Sequence, residues 1–251
     1  MSKTIKTGLI VFFFFLFCNT SYGATIHWYG HSFFKIKDDT LSLVIDPFDD
    51  SLKYYLPKRD LIADGLLISK NSFDHNNASI VDANTVMSDL GASEINGVRI
   101  KAFQVYSDDE HGILRGTSLV FNWESDGINY LFLGDIGEPM PESMYKAIGK
   151  VDVIFVPVGG TYTLELDEIK TIIERTGAKV IIPTHYKTSL IKYLWISLYN
   201  IDKFKEVMGA KYPVIDTKSM SLTITKDKLP KVPMIYILDY PHTQKEADSL
   251  K

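Results

Sequence analysis

The pattern of apolar and polar positions predicts two kinds of strand along this chain. Short runs rich in β-branched and aromatic residues, separated by glycine or charged residues, are typical of antiparallel strands. Such runs occupy residues 25–29, 32–36, 41–45, 98–103, 118–123 and 129–133. The tripeptide Ser125-Asp126-Gly127 supplies a hairpin turn between the last two runs.

The pattern changes in the second half of the chain. Residues 151–156 and 179–182 are near-continuous apolar runs, as expected of strands covered on both faces. Between them, residues 166–176 carry isoleucines at helical spacing and stop before Gly177. Further helices are predicted at residues 141–148 and 201–208. Strands followed by strand–helix alternation predict an α+β fold, a four-layer αββα sandwich with helices outside two mixed sheets.

Residues 190–199 are apolar on nearly every side and include Tyr193, Trp195 and Tyr199. Such a segment is typically buried in a core. Because it follows His185 closely, a hydrophobic pocket wall or a subunit interface remains an alternative. A subunit interface at this segment would make the protein a homo-oligomer.

The N-terminus has the pattern of a secretory signal peptide. Lys3 and Lys6 precede an apolar run, and a polar patch follows that ends in small residues at Gly23. The run of about ten residues is short for a membrane span, which needs about 20. We therefore expect residues 1–23 to be cleaved and the protein to be periplasmic or secreted, with lipid attachment at Cys18 as an alternative.

Residues 24–228 are predicted to form one domain, and residues 229–251 a solvated C-terminal extension. Cys18 is the only cysteine, so the mature chain would contain no disulfide and no thiolate ligand. Loss of the two lysines in the signal peptide would change the formal net charge from −4 to about −6. An acidic chain without a basic cluster argues against nucleic acid as a partner and favours a small-molecule substrate or ligand, with no membrane attachment after cleavage.

A further short apolar strand is predicted at residues 63–68, and polar residues follow this strand and those at 129–133, 151–156 and 179–182. These loops are Asp74-His75, Gly134-Asp135-Ile136-Gly137, Gly159-Gly160-Thr161-Tyr162-Thr163 and Ile182-Pro183-Thr184-His185-Tyr186. Loops held by a rigid scaffold commonly carry reacting groups. Imidazole and carboxylate groups are also ligands that zinc accepts.

The order of these elements resembles the metallo-β-lactamase superfamily. The matching elements are Gly30-His31, Ile45-Asp46-Pro47-Phe48, Asp74-His75, Arg115-Gly116, Leu133-Gly134-Asp135, Pro157-Val158-Gly159-Gly160 and Ile182-Pro183-Thr184-His185-Tyr186. The chain is most similar to the branch containing L-ascorbate-6-phosphate lactonase-like hydrolases, over roughly residues 25–226. The resemblance implies an αββα fold and a metal-dependent hydrolytic ancestry.

The resemblance also implies that one of two metal sites is lost. The first site uses the two histidines of a His-x-His-x-Asp-His loop and a third histidine from a later loop. Lys70, Ser72 and Ser107 stand at these positions, and His111 nearby is an alternative, displaced ligand.

The second site is complete in this sequence. Asp74, His75 and His185 match its ligands, and Asp135 matches the bridging carboxylate. We therefore expect one divalent metal ion, zinc in the first instance, with manganese or iron as alternatives.

Further roles are predicted around this site. Lys70 would replace part of the charge of the missing ion, and Asp74 would take part in catalysis. Asp46 is expected to orient a ligand. Substrate contacts are predicted at His31, Gly160 and Tyr186, with a packing or orienting role as the alternative for His31. Each of these polar residues taken singly also has an ordinary structural explanation, such as a helix N-cap for Asp74.

Two functions follow. The first is an exported single-metal hydrolase of ester, lactone or phosphoester-type bonds that uses metal-bound hydroxide. The alternative is a catalytically inactive pseudoenzyme that binds a small molecule or a protein partner. β-Lactamase activity is not expected, because the similarity lies with a different branch.

Overall fold

The computed structural model describes residues 23–191 and 197–250, in which fourteen strands form two sheets. The strands are β1 Gly23–Gly30, β2 Phe33–Lys37, β3 Ser42–Ile45, β4 Leu61–Leu67, β5 Val81–Met87, β6 Gly91–Ile95, β7 Val98–Tyr106, β8 Thr117–Ser125, β9 Ile128–Phe132, β10 Val153–Pro157, β11 Val180–Thr184, β12 Val214–Asp216, β13 Ser221–Thr225 and β14 Met234–Ile237. The α-helices are α1 Glu142–Ile148, α2 Leu166–Thr176, α3 Ile201–Met208 and α4 Gln244–Ser249. Short 3₁₀ helices lie at Asp50–Leu52, Ala78–Ile80 and Lys226–Lys228.

Both sheets mix antiparallel and parallel pairs. The six-stranded sheet has the order β13-β1-β2-β3-β4-β5, and the eight-stranded sheet has the order β12-β14-β11-β10-β9-β8-β7-β6. In the larger sheet the pairs β9–β10, β10–β11, β11–β14 and β14–β12 are parallel, whereas the pairs β6–β7, β7–β8 and β8–β9 are antiparallel. The predicted α+β sandwich of two mixed sheets is confirmed.

Aromatic side chains fill the space between the sheets. Phe34 of the six-stranded sheet lies edge-on to Phe155 and Phe132 of the eight-stranded sheet, with ring centroids 4.9 and 6.4 Å away. All three rings are almost fully buried. Edge-to-face contacts of this kind add to the stabilisation from burial alone. The two sheets therefore share one continuous core.

Local sequence explains the elements that were predicted. Every residue of β10 and β11 is buried, as their apolar runs indicate. Helix α2 buries Ile169, Ile172 and Ile173 and ends at Gly177, whose φ of 68° is left-handed. The two-residue turn Asp126-Gly127 has positive φ at both positions, which matches the twist of a hairpin. In the described part of the chain, no helix is long and apolar enough to cross a membrane.

The prediction of a solvated C-terminal extension is wrong for its central part. Strand β14 pairs in parallel with β11 and β12, inside the larger sheet. Its Ile235 is fully buried, and the hydroxyl of Tyr29 donates to the carbonyl of Leu250. The run Met234-Ile235-Tyr236-Ile237 has the β-branched character of a strand, but its partners are distant in sequence.

Two predictions concern residues that are not described. The predicted signal peptide lies almost entirely outside the described residues, which begin at Gly23. Residues 192–196 of the apolar segment 190–199 also lie outside them. The flanking Ile191 and Leu198 are buried, as a core segment predicts.

Candidate metal centre

Four connections deliver polar side chains to one end of the sandwich. His31 lies in the turn between β1 and β2, and Asp74 and His75 follow β4. Asp135 follows β9, and His185 follows β11. The N–H of His185 donates to the carbonyl of His31 at 3.2 Å, so the backbone itself ties the connections from the two sheets together.

The ligand atoms of four of these residues converge. Atoms of His31, Asp74, His75 and His185 all lie within 4.8 Å of one another. Asp135 Oδ1 is 3.3 Å from His75 Nε2 and 3.1 Å from His185 Nε2. The predicted ligands Asp74, His75, Asp135 and His185 are therefore brought together, and His31 joins them.

The spacing of these atoms fits a shared cation, and hydrogen bonds do not satisfy them. Although close, His75 Nε2 and Asp135 Oδ1 are both buried and have no hydrogen-bond partner in the described part of the chain, and the same is true of Nε2 of His31. Ligand atoms about 2.1 Å from a common ion in tetrahedral geometry lie roughly 3.4 Å apart. Buried polar atoms left unpaired in this way are rare unless a ligand completes them. The residues present thus fit a divalent metal ion.

Asp46 fixes the orientation of His75. Its Oδ2 lies 2.8 Å from His75 Nδ1 and accepts from the hydroxyl of Ser69 at 2.5 Å, while its Oδ1 accepts from the Ser69 N–H at 2.6 Å. Asp46 and His75 are both completely buried. A carboxylate that accepts from Nδ1–H leaves the lone pair of Nε2 facing the cluster. This is the orienting contact that the sequence predicts for Asp46.

Three residues of the centre have left-handed backbone conformations. The φ angles are 49° at His31, 46° at Asp46 and 53° at His185. Such conformations cost on the order of 1–3 kcal/mol each in a non-glycine residue and concentrate at functional sites. The surrounding sheets hold these residues in backbone conformations that an unconstrained loop would rarely adopt.

The charges around the cluster set its protonation states. Burial would raise the pKa of Asp135, but His75, His185 and Lys70 hold it well below its usual range. Burial would likewise raise the pKa of Asp74, yet His75 and His31 lower it. Burial, reinforced by His31, lowers the pKa of His185 to about 3. At neutral pH these groups are therefore carboxylates and a neutral imidazole, the forms that bind metal.

His75 differs, because carboxylates surround it. Burial would lower its pKa, but Asp135, Asp46 and Asp74 raise it well above the ordinary value. The same carboxylates would stabilise a metal cation, which competes with the proton.

Lys70 forms an ion pair with the Asp135 carboxylate oxygen that does not contact the histidines. Its Nζ is 2.9 Å from Asp135 Oδ2, and the lysine side chain is 15% exposed. Asp135 thus presents Oδ1 to the histidines and Oδ2 to Lys70. A positive charge therefore lies beside the cluster; the role predicted for it stays a prediction.

A cavity of about 370 Å³ opens onto the cluster. Besides the ligand residues, its lining includes Lys70, Phe73, Arg115 and Tyr162. The guanidinium of Arg115 lies 4.4 Å from the centroid of the Tyr162 ring. The cluster of candidate ligands consequently has access to solvent and room for a small molecule beside it.

Two predicted substrate-contacting residues lie elsewhere. A Cβ on Gly160 would meet the ring of Tyr199 at 2.2 Å, so this glycine provides close packing. Tyr186 is 5% exposed, with its ring centroid 5.4 Å from that of Trp28. Neither residue is among the described residues that line the cavity, because both face packed aromatic rings. His31, the third such residue, does line the cavity.

The residues predicted at or near the lost metal site have different surroundings. Ser72 donates from its hydroxyl to Asp74 Oδ1 at 2.6 Å and so supports a ligand of the retained site. Ser107 is fully buried, and its hydroxyl has no partner among the described residues. His111 is exposed and its ring lies near Tyr106, so the structure does not place it as a displaced ligand.

Two features of the site were not predicted from the sequence: the ligand position of His31 and the contact between Arg115 and Tyr162. His31 was given a substrate-binding or orienting role, but its ring centroid is 4.1 Å from that of His185, within the ligand group. Arg115 and Tyr162 were recognised only as parts of motifs. Their stacking across two loops has no short-range signal in the sequence.

A two-sheet sandwich that brings histidines and aspartates from its strand ends to one cavity defines a metallo-β-lactamase-type protein. The chain belongs to the β-lactamase superfamily, whose superfamily domain matches residues 25–185.

Relatives and solved structures agree with this membership. A UPF0173 protein of Pyrococcus abyssi is 27% identical over 65% of this chain and 83% of its own. A UPF0173 metal-dependent hydrolase of Nitratidesulfovibrio vulgaris is 25% identical over 65% of this chain and 80% of its own. The crystal structure of a Thermotoga maritima protein, assigned as a Zn-dependent hydrolase of the metallo-β-lactamase superfamily, is 31% identical, with a TM-score of 0.68 over 87% of this chain and 100% of that one. The narrower resemblance to L-ascorbate-6-phosphate lactonase-like hydrolases stays a prediction.

Proposed function

We propose that the protein is a metal-dependent hydrolase that holds one divalent ion, zinc in the first instance, and cleaves an ester, lactone or phosphoester-type bond. The observation that carries this proposal is the convergence of buried, unpaired ligand atoms of His31, His75 and Asp135 beside an open cavity. The names of relatives as metal-dependent hydrolases support the reaction class.

The charge of the site also supports a bound cation. Asp46, Asp74 and Asp135 bring three carboxylates to the cluster, and Lys70 and a protonated His75 balance only two of these charges. The excess negative charge is buried, where it is costly unless a cation balances it. A divalent ion would provide that balance.

In this proposal Asp74, His75, His185 and Asp135 hold the ion, and His31 is a further candidate ligand. When bound, the ion would act as a Lewis acid and lower the pKa of a coordinated water toward 7. Asp46 keeps the Nδ1 proton of His75 in place. Asp74, the more exposed of the ligand carboxylates, would orient the attacking water by accepting its hydrogen bond.

Lys70 would stabilise the transition state. Its ammonium group lies beside Asp135 and lines the cavity. A fixed positive charge next to a scissile bond stabilises negative charge that develops on an oxygen. The lysine thereby supplies part of what a second metal ion provides in a two-metal site.

A second candidate function is binding without turnover. It is favoured by the same ion pair, because Lys70 already occupies the Asp135 oxygen that a second ion would use. In that case the cavity would hold a small molecule or a segment of a partner without cleaving it.

Metal content tests the first requirement of the hydrolase proposal, which is that the protein binds a divalent ion. We expect residues 24–251, purified without a histidine tag, to contain about one equivalent of a divalent metal by elemental mass spectrometry. The His75→Ala/His185→Ala variant should lose it. A matched His111→Ala/His242→Ala variant removes two exposed histidines and should keep it. Absence of metal from the wild-type protein, even after reconstitution, would refute the hydrolase proposal.

Activity then separates the two functions. A panel of esters, lactones, phosphomonoesters and phosphodiesters should include substrates that the metal-loaded protein hydrolyses. Asp135→Asn should abolish this hydrolysis, whereas Asp152→Asn, remote from the cluster, should preserve it. A protein that binds metal but cleaves nothing in the panel would favour the binding function.

Export of the protein is a separate proposal, supported by the predicted signal peptide. Strand β1 starts at Gly23, so cleavage after this residue removes only the first residue of the strand. N-terminal sequencing of the protein from the extracytoplasmic fraction should begin at Ala24. An intact Met1 in the cytoplasmic fraction would refute export, and a lipid on Cys18 would show the alternative anchoring.

A further inference from the structure

Arg115 is the cation on the cavity wall that forms no direct ion pair in the described residues, although it also borders a small cavity lined by Asp108, Asp109, Glu165 and Glu168. Lys70, the other cation of the lining, is 2.9 Å from Asp135 Oδ2. Arg115 instead lies over the ring of Tyr162 and forms no ion pair within the described part of the chain. It is only half-buried, so its N–H groups can reach a molecule in the cavity.

The loop that carries Arg115 is held in one conformation by Asp108. The carboxylate of Asp108 accepts from the backbone N–H groups of Glu110, Gly112, Leu114 and Arg115 at 2.7–3.2 Å. The carboxylate of Asp108 is therefore engaged with the backbone and does not serve as a counter-ion for the guanidinium. The loop thus presents Arg115 to the cavity from a defined position.

The walls on either side of Arg115 suit a small organic anion. Phe73 and Tyr162 line the same cavity and offer apolar faces, with Phe73 half-exposed. A planar guanidinium provides a fork of donors that matches the two oxygens of a carboxylate or phosphate. Stacking on an aromatic ring leaves the edge of that fork free to donate.

Space for the anionic group continues beyond Arg115. Lys70 and Arg115 also border a neighbouring cavity of about 590 Å³, whose other lining side chains are mostly uncharged, such as Asn71 and Gln104, with Asp89 as its one carboxylate. An anion held by Arg115 would therefore lie where the two cavities meet. The rest of the molecule would extend toward the metal cluster on one side.

We propose that Arg115, held against Tyr162, binds an anionic group of the substrate, a carboxylate or a phosphate, while the scissile bond lies at the metal cluster. The proposal rests on the proposed hydrolase function of the same cavity and assigns its substrate class: a small ester, lactone or phosphoester that carries a negative charge away from the bond cleaved. Arg115 acts in specificity and not in bond cleavage.

The first test measures binding and needs no turnover. Inorganic phosphate and succinate would be titrated into the metal-loaded protein by calorimetry, as separate probes for the two kinds of anion. We expect Arg115→Gln to weaken the binding of at least one probe by roughly tenfold, since a charge-assisted hydrogen-bond pair is lost. Arg115→Lys should recover part of the affinity, because it restores charge without the planar fork.

The matched control is Arg99→Gln, which removes the same charge from an exposed position at the far end of β7. It should bind both anions as the wild type does. Equal loss in Arg99→Gln and Arg115→Gln would show a general charge effect and overturn the proposal, as would wild-type affinity in Arg115→Gln. If Arg115→Gln does not fold, Tyr162→Leu keeps the arginine but removes its support, and the same drop in affinity is expected.

The second test compares substrates. 4-Nitrophenyl hydrogen succinate and 4-nitrophenyl acetate have the same leaving group, but only the first carries a carboxylate. Arg115→Gln should raise KM for the succinate ester roughly tenfold more than it raises KM for the acetate, since only the succinate ester loses a charge-assisted contact. Anion binding through Arg115 without any hydrolysis would refute the hydrolase function alone. Hydrolysis that depends on Asp135 but shows no dependence on Arg115 in either test would refute this inference alone.

Discussion

Asp46 Oδ2 and His75 Nδ1 are 2.8 Å apart, and both side chains are completely shielded from solvent. This contact links a carboxylate after β3 to an imidazole after β4, two neighbouring strands that run parallel. It orients the His75 ring and leaves Nε2 facing Asp135. The metal centre therefore depends on a residue that cannot itself touch the ion.

Asp46→Asn tests this dependence. We expect metal affinity to fall by about 10–100-fold, because the amide is a weaker acceptor for the Nδ1 proton and no longer supplies negative charge. Asparagine tolerates the left-handed backbone at this position, so the fold should persist. Competition with a chelator measures the affinity. Asp152→Asn, which changes a carboxylate bonded to Asn129 N–H and Lys226, serves as the control and should bind metal normally.

Lys70 provides a second prediction. Lys70→Ala should reduce kcat by at least tenfold, because removal of a preorganised charge destabilises the transition state. Lys70→Arg should retain most activity, because it keeps the positive charge at this position. Metal content measured on the same preparations separates an effect on chemistry from an effect on Asp135. Equal activity in the three proteins would contradict the role of Lys70.

Gly159 is predicted to be essential for the position of His185. A Cβ at residue 159 would lie 2.1 Å from the carbonyl oxygen of His185, so Gly159→Ala must displace backbone. We expect a loss of about 1–3 kcal/mol in the free energy of unfolding, together with weaker metal binding. Denaturant unfolding and chelator competition measure the two effects.

Gly127→Ala is the comparison for Gly159→Ala. Gly127 has a left-handed φ of 73° but open space around its Cα, and it lies in a hairpin turn. Its substitution should lower stability through backbone strain while metal affinity stays unchanged. Unchanged metal affinity in Gly159→Ala as well would disprove the coupling to His185.

The Asp108 loop should respond to pH in a defined direction. Burial would raise the pKa of Asp108, but the backbone N–H groups of Arg115, Gly112 and neighbouring residues lower it below the ordinary value of 3.8. A depressed pKa means that the carboxylate supports the loop above pH 3.8, and that this support is lost as the pH falls through the folded-state pKa.

Hydrogen exchange at residues 110–115 measures this effect. At pH 7 the amides should exchange faster in Asp108→Asn than in the wild type, and the difference should disappear at low pH. Identical exchange at pH 7 would show that other contacts hold the loop. Asp109→Asn, at the adjacent position, is the control and should exchange as the wild type does.

Much of the fold follows from local sequence patterns. Helix α2 begins at Leu166 and ends before Gly177 because a capping box and a left-handed glycine mark its two ends. Strands β10 and β11 are continuous apolar runs because both faces of the sheet are covered. Strand β14 was missed, since its place beside β11 depends on pairing with a segment about 50 residues earlier in the chain.

The candidate site likewise has residues that local sequence identifies and residues that only tertiary contacts bring in. Asp74, His75, Asp135 and His185 were identifiable because each follows an apolar run and matches a family motif. The ligand position of His31 was not, because it depends on a left-handed backbone and on the hydrogen bond from the His185 N–H. The packing of Gly160 and Tyr186 against Tyr199 and Trp28 likewise follows from contacts between distant segments.

The sequence by itself determined many of the strands and helices, among them β10, β11 and α2, and which acidic and imidazole groups stand at strand ends. These properties depend on residue type and on spacing over a few positions. Only the tertiary structure decided that His31 joins the ligands, that Lys70 pairs with Asp135, and that Arg115 lines the cavity with no direct ion pair among the described residues. Those relationships depend on how two sheets pack, because packing brings together side chains that are separated by tens of residues.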